Sequence, residues 1–387
     1  MSSHPQPVPE SAPAAAGTTY AAAGVDTAAG DRAVELMRAS VAATMTPAVV
    51  GEVGGFAGLV DVSALRDYRR PLLATSTDGV GTKVAIAQAL GVHDTIGQDL
   101  VGMVVDDIVV VGARPLLMTD YIACGRVVPE RIADIVRGVA TACAAVGTPL
   151  LGGETAEHPG LMEADEYDLA GAATGVVEAD RVLGPERVRP GDVLIALASS
   201  GLHSNGYSLV RRVIADAGWG LERKVPEFSR TLGEELLEPT RLYTKACLAM
   251  IGALGSEAAP SPIHALSHVT GGGLAANLAR VLPAGTIADV DRSGWVIPPV
   301  FDLVRHLGSV PWEDLEGTLN LGVGMVAVVA PDSAEAVLRV AQGSEMSAWV
   351  LGGVHEAQVY EPQGRVVAGT KGVDGGAVDV FGRYRTA

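Results

Sequence analysis

An α+β fold of two layered domains is what the sequence predicts, on three observations. Short apolar runs of strand length alternate with amphipathic runs of helix length along most of the chain. Glycine is abundant, 48 of 387 residues, which suits many tight turns rather than a helical bundle. The alternation also stops and restarts: residues 179–191 carry several charges with Pro185 and Pro190, and a second alternating unit begins at Val193. The expected division is a disordered tail over 1–18, an N-terminal mixed-sheet domain over 19–180 and a C-terminal α/β domain over 181–387.

Each element rests on its own pattern. Residues 1–18 are rich in Pro, Ala and Ser, too polar and irregular to pack. Residues 51–58, with Gly54 and Gly55, have no periodicity and read either as backbone approaching a ligand or as a plain connection. A strand runs from Pro71 to Ser76, followed by helical patterns near 81–90 and 95–112. Residues 116–123 read as a strand, 129–146 as an amphipathic helix, 149–152 as a short strand and 167–178 as another. The linker or hairpin over 179–191 leads to a strand at 193–198, a polar loop at 199–206 and helices at 207–217 and 240–254. A strand at 264–269 runs into a glycine turn and a helix, and strands near 286–291, 323–330 and 347–353 complete the unit. No fixed-period repeat or heptad pattern occurs.

Composition narrows the partners. The formal charge is −17 and no block of five basic residues offsets it, which argues against nucleic acid and anionic membranes. Aromatics make up 4 % of the chain, too few for a base-stacking platform. Cys124, Cys143 and Cys247 show no metal-ligand or redox spacing and read as small buried residues in a reducing compartment. No leader and no apolar run of spanning length is apparent, so the expectation is a cytoplasmic protein acting on small molecules.

Five constellations carry chemistry. Asp78-Gly79-Val80-Gly81-Thr82-Lys83 follows a strand, and its glycines let amide groups turn toward an anion that Lys83 would neutralise. The chain has only four lysines among 28 basic residues, so a lysine after a glycine turn points to a wanted ammonium. The spacing is not that of a Walker loop, and a structural turn remains the alternative. On the helix over 95–112, Asp99 and Asp106 are seven residues apart and share a face, with Asp107 one step round. Carboxylates on so apolar a helix need partners: either magnesium with nucleotide phosphates, or arginines and solvent. Gly152-Gly153-Glu154-Thr155 follows a short strand, and Asp120 ends another; both also fit structural turns. Ser199 to Tyr207 joins a strand to a helix, and its His203, Ser204 and Asn205 could meet a phosphate or move a proton, or simply be solvated. Thr270-Gly271-Gly272, after His268, can form an anion nest or a flexible turn. No nucleophile elbow or zinc spacing occurs, so the residues alone point to an ATP-dependent, magnesium-using protein with a small anionic substrate.

Taken in order, these motifs resemble the aminoimidazole ribonucleotide synthetase family. The resemblance adds His93-Asp94-Thr95-Ile96-Gly97, Tyr167-Asp168-Leu169-Ala170-Gly171 and Asn320-Leu321-Gly322-Val323-Gly324-Met325, and runs from about residue 20 to about 355. The family commonly has Asn-Asp where Asp106-Asp107 stand, and often Glu at Arg114. The resemblance implies cyclisation of formylglycinamidine ribonucleotide with ATP, through an iminophosphate, in a homodimer joined by its N-terminal sheets. It implies that Asp78, Asp99, Asp106 and Asp107 hold magnesium and that Lys83 neutralises nucleotide phosphate. Gly79, Gly81, Thr82, Asp120, Gly152, Gly153, Glu154 and Thr155 would complete the nucleotide site. Gly54, Gly55, His203, Ser204, Asn205, Thr270, Gly271 and Gly272 would meet the substrate, with Asp78, Lys83 and His203 in the chemistry. Relatives of the same scaffold fit less well: selenophosphate synthetase would carry a reactive Cys before Cys124, and the hydrogenase maturation factor would end in Cys. Thiamine-monophosphate kinase and a non-catalytic nucleotide-binding scaffold stay as alternatives for assay.

Overall fold

The computed structural model describes residues 26–51, 54–255, 261–369 and 375–386. The tail expected over 1–18 lies outside them. The first described helix, α1 (Thr27–Ala42), begins at Asp26, whose Oδ1 accepts from the amides of Ala28 and Ala29. No element was expected here: only Ala33 and Val41 of α1 are buried, so its apolar stripe is faint.

The N-terminal sheet holds β1 (Pro71–Gly79), β2 (Arg114–Cys124), β3 (Leu150–Glu157) and β4 (Tyr167–Glu178), in the order β1-β4-β2-β3. β4 runs antiparallel to both β1 and β2, whereas β2 and β3 are parallel. A parallel pair needs a crossover, which α4 (Pro129–Val146) supplies, opening on Pro129 and closing on left-handed Gly147. One row of the register crosses the whole sheet: Asp78 opposite Gly171, Gly171 opposite Asp120, Asp120 opposite Gly153.

Between β1 and β2 lie α2 (Val84–Leu90) and α3 (Ile96–Val109). α3 packs on the sheet beside α4, and glycines set how closely the two cross. A Cβ on Gly97 would lie 2.1 Å from the Val139 amide nitrogen, and one on Gly138 would lie 2.1 Å from the Asp94 carbonyl. Every residue of α3 is buried except Gln98 and Asp107. Among the described residues no α-helix packs on the opposite face of the sheet; Leu73, 67 % exposed, and Tyr121 stand on it.

The second sheet has seven strands: β5 (Val193–Ala198), β6 (Ile263–His268), β7 (Thr286–Asp291), β8 (Val323–Val329), β9 (Ala348–Glu356), β10 (Arg365–Ala368) and β11 (Ala377–Phe381). Their order is β6-β8-β5-β9-β7-β11-β10, antiparallel except for β7 and β11. Separate antiparallel-rich sheets with helices against them make the fold α+β. Helices cover both faces. α5 (Tyr207–Asp216), α7 (Gly273–Ala279) and α8 (Pro299–Gly308) join the larger apolar core, while α6 (Thr244–Leu254) and α9 (Ala334–Gly343) pack on Ile195, Leu197, Met325 and Ala327. Two details differ from expectation. The helix expected over 240–254 starts only at Thr244; before it, the Thr240 and Tyr243 amides donate to Asp99 and Asp106 of α3. The strands β10 and β11 were not expected; they are short and lie on either side of a glycine-rich stretch. Among the described residues no helix is long and apolar enough to cross a membrane.

Candidate active site

α3 lies at the seam between the two sheets, and its aspartates face three different surroundings. β1 ends at Gly79, Gly81 turns the chain with φ +73°, and a short helical turn delivers Lys83 to the interior. The Lys83 Nζ donates to Asp99 Oδ1 at 2.8 Å and to the Glu238 carbonyl at 2.6 Å, and both side chains of the ion pair are 0 % exposed. Asp99 Oδ1 also accepts from the Thr240 amide at 2.8 Å and its hydroxyl at 2.7 Å. Burial pushes Lys83 down and Asp99 up, and their mutual attraction opposes both shifts. An ammonium so enclosed does not face an open phosphate site; Asp99 takes the place expected for nucleotide.

Asp106, two turns on, is equally enclosed. It accepts from the Tyr243 amide at 3.0 Å and the Thr244 hydroxyl at 2.7 Å, at the N-terminus of α6. Burial raises its pKa to about 6 against these bonds. Asp107 differs: its side chain is 39 % exposed, and Oδ1 pairs with His268 Nδ1 at 2.8 Å. Burial works against charge on His268, but the bond to Asp107 and the fields of Asp106, Asp107 and Asp78 outweigh it and hold its pKa above the ordinary value. His268 Nε2 is enclosed without a partner. Asp78 is exposed at the end of β1 and is raised by partial burial and then by Asp107, against a bond from the Gly79 amide.

The second half supplies the facing wall. His203 adopts φ +60° and accepts at Nε2 from the Ser200 amide at 3.2 Å, which assigns the proton to Nδ1, enclosed and unpartnered. Burial, then the charges of His268 and Lys83, push His203 well below its ordinary pKa, so it is neutral at pH 7. Tyr243 lies between the two histidines, its ring 6.0 Å from that of His203 and 6.3 Å from that of His268. Gly324 makes this possible: a Cβ there would lie 1.9 Å from the Tyr243 hydroxyl and 2.6 Å from His203 Cε1. Ser204 approaches Thr240, hydroxyl to hydroxyl, at 3.4 Å, Asn205 Nδ2 reaches Met103 Sδ, and Thr82 Oγ1 lies 3.2 Å from Ser208 Oγ. A Cβ on Gly271 would touch Asn205 Oδ1 at 3.4 Å, which seats the 270–272 turn, with Gly272 at φ +105°, beside the His203 loop.

The fold thus brings Asp78, Gly79, Gly81, Thr82, Lys83, Asp99, Asp106, Asp107, His203, Ser204, Asn205, Thr270, Gly271 and Gly272 to one seam. It does not bring the β3 group there. Gly153 is three strand spacings, about 14 Å, from Asp78 along the shared row. Asp120 leans over Gly153, where a Cβ would lie 1.6 Å from its Oδ1, and its Oδ2 is enclosed without a partner. Burial raises Asp120 to about 7. Gly152, Glu154 and Thr155 occupy the same edge strand. Gly58, three residues beyond Gly55, abuts Leu151 of β3, and among the described residues no contact ties Gly54 or Gly55 to those gathered at the seam. Thr240, Tyr243 and Thr244 were not expected at the site, and no motif marks them. Their place follows from the carboxylates that bind them.

Comparison with known proteins places this geometry in a family. The description "AIR synthase related protein, N-terminal domain" matches residues 60–177, and its C-terminal counterpart matches 189–364. A phosphoribosylformylglycinamidine cyclo-ligase of Geobacillus kaustophilus is 48 % identical over 336 residues, covering 87 % of this chain and 95 % of its own. One from Shouchella clausii is 46 % identical over 353 residues, covering 90 % and 98 %. The chain belongs to the phosphoribosylformylglycinamidine cyclo-ligase family. Among solved structures, thiamine-monophosphate kinase from Stenotrophomonas maltophilia superposes with a TM-score of 0.62 at 19 % identity, covering 90 % of this chain and 96 % of that one. E. coli HypE gives 0.59 at 18 %, covering 90 % and 94 %. At these identities the kinase and HypE share the fold and no more.

For this cyclo-ligase family member, magnesium can be weighed against the four aspartates. Among the described residues no group of three or more His, Cys, Asp or Glu side chains is arranged to hold a metal ion. Nucleotide-bound magnesium needs only one or two carboxylates besides phosphate and water. Asp78 and Asp107 fit that need, since both are open and close enough for Asp107 to shift Asp78. Asp99 and Asp106 do not fit: both are enclosed, Asp106 is engaged by Tyr243 and Thr244, and Asp99 Oδ1 is taken by Lys83 and Thr240 while its Oδ2 is enclosed without a partner.

Proposed function

We propose that the chain catalyses the ATP-dependent closure of formylglycinamidine ribonucleotide to aminoimidazole ribonucleotide, releasing ADP and phosphate, in purine biosynthesis. The observation that carries this reading is kinship with cyclo-ligases at 43–48 % identity over nearly their full length. The chemistry starts from a poor leaving group, an amide oxygen. Attack of the formyl oxygen on the γ-phosphorus makes an iminophosphate; the amidine nitrogen then adds to that carbon, and phosphate leaves as the ring closes. The protein's work is alignment and charge stabilisation.

In this reading Asp78 and Asp107 hold magnesium, which screens the triphosphate, and the Gly79–Thr82 turn with the 270–272 turn offers amides to phosphate oxygens. His203 donates its Nδ1 proton as a hydrogen bond and carries no charge. His268, held toward its charged form by Asp107, presents Nε2 to a developing anion. Lys83 acts through Asp99 and not at phosphate. Gly152, Gly153, Glu154, Thr155, Gly54 and Gly55 serve the nucleotide or substrate of a neighbouring subunit, reached across the helix-free sheet face through which we propose that two copies pair; Asp120, enclosed on the helix-covered face, only supports the strand beside Gly153. The proposal keeps the domain division near residue 180 and a cytoplasmic location.

The test is ADP release by purified protein. It should require both magnesium and formylglycinamidine ribonucleotide; ADP release with thiamine monophosphate instead would overturn the assignment.

A further inference from the structure

We infer that Asp99 and Asp106 are positioning residues that latch the 238–244 segment of the second half onto α3, and through it set the 199–205 loop. This rests on the cyclo-ligase reading only for what that loop does. Asp99, Gly102 and Asp106 sit at helix positions i, i+3 and i+7, one stripe facing the segment. Asp99 takes the Thr240 amide and hydroxyl, and Asp106 takes the Tyr243 amide and the Thr244 hydroxyl. Gly102 lets them close, since a Cβ there would lie 2.7 Å from Thr240 Cγ2. The segment in turn grips the loop at both ends. The Pro239 carbonyl accepts from Ser200 Oγ at 2.6 Å, Thr240 Oγ1 meets Ser204 Oγ, and the Tyr243 hydroxyl donates to the Ala198 carbonyl at 2.8 Å.

Magnesium at these two aspartates would displace that arrangement. A cation on Asp99 would compete with the Lys83 ammonium 2.8 Å from its Oδ1. A cation on Asp106 would strand the buried Tyr243 amide and Thr244 hydroxyl. A latch needs an acceptor at position 106, whereas a metal ligand needs a negative charge, and this difference is measurable.

Full-length Asp106→Ala, Asp106→Asn and Asp107→Asn are compared by Mn2+ titration in the presence of ATP, followed by electron paramagnetic resonance, and by thermal melting and the KM for formylglycinamidine ribonucleotide. The latch predicts that Asp106→Ala melts lower and raises KM while its Mn2+ affinity stays within about twofold of wild type, and that Asp106→Asn recovers most of the melting midpoint and KM. Asp107→Asn should lose Mn2+ affinity by roughly tenfold or more. An equal Mn2+ loss in Asp106→Asn and Asp107→Asn would overturn the inference. If Asp106→Ala does not fold, Thr244→Val removes a donor and no carboxylate; a wild-type midpoint and KM in that variant would also overturn it. Absence of turnover by wild type would sink the cyclo-ligase reading alone, because Mn2+ binding and melting still decide the latch.

Discussion

Asp120→Asn should stabilise the protein more at high pH than at low. In the native state Asp120 holds its proton to about pH 7, because its carboxyl is enclosed and Oδ2 has no donor. In the unfolded chain the same group titrates at its ordinary value of 3.8. Between those values the native state binds more protons than the unfolded one, so stability falls as pH rises through the window and levels off above it. At about 1.36 kcal/mol per pH unit, the penalty grows by about 2–3 kcal/mol between pH 5 and pH 8. Asparagine mimics the neutral acid and abolishes that term, while its unpartnered amide adds a pH-independent cost of about 1–3 kcal/mol. Urea unfolding of wild type and Asp120→Asn at pH 5 and pH 8 isolates the effect, because the constant cost cancels in the difference. A variant-minus-wild-type stability equal at the two pH values would refute the burial argument.

Three further outcomes follow from the seam. Lys83→Met leaves Asp99 buried without its cation, so it should lose about 3–5 kcal/mol in urea unfolding, against near zero for a surface lysine. Gly324→Ala drives a methyl into Tyr243 and His203; thermal melting should fall by several degrees, the response to about 1–3 kcal/mol of overpacking, and turnover should fall with it. His203→Gln keeps a donor without a titrating ring. Its pH–rate profile should therefore keep the shape of the wild type near pH 6–7, and loss of a limb there would mean that His203 titrates in catalysis.

The sequence made the layered α+β plan legible because α4 carries a clear helical stripe, while β2 and β5 are apolar runs of strand length. It missed α1, which buries only Ala33 and Val41, and β10 and β11, whose runs are too short to carry a period. Of the site, the glycine turns and α3 were found because glycine and buried acid are conspicuous in an apolar context. The fate of each acid was not legible. Asp99, Asp106 and Asp107 look alike in sequence, yet only Asp107 is open, since the 238–244 segment covers the stripe that holds the other two. That pairing spans more than 130 residues and leaves no local pattern. Thr240 and Tyr243 stayed hidden for the same reason. Lys83 stands out in the sequence as a scarce ammonium after a glycine turn, and the fold buries it against Asp99; spacing does not reveal whether a lysine faces a phosphate or an aspartate.

The central claim is that the formyl oxygen of the substrate becomes phosphorylated at this seam. Substrate labelled with 18O at that position, turned over with unlabelled ATP, tests it most directly by mass analysis of the released phosphate. One 18O atom in each phosphate is the predicted result; unlabelled phosphate, with the label lost to water, would contradict it.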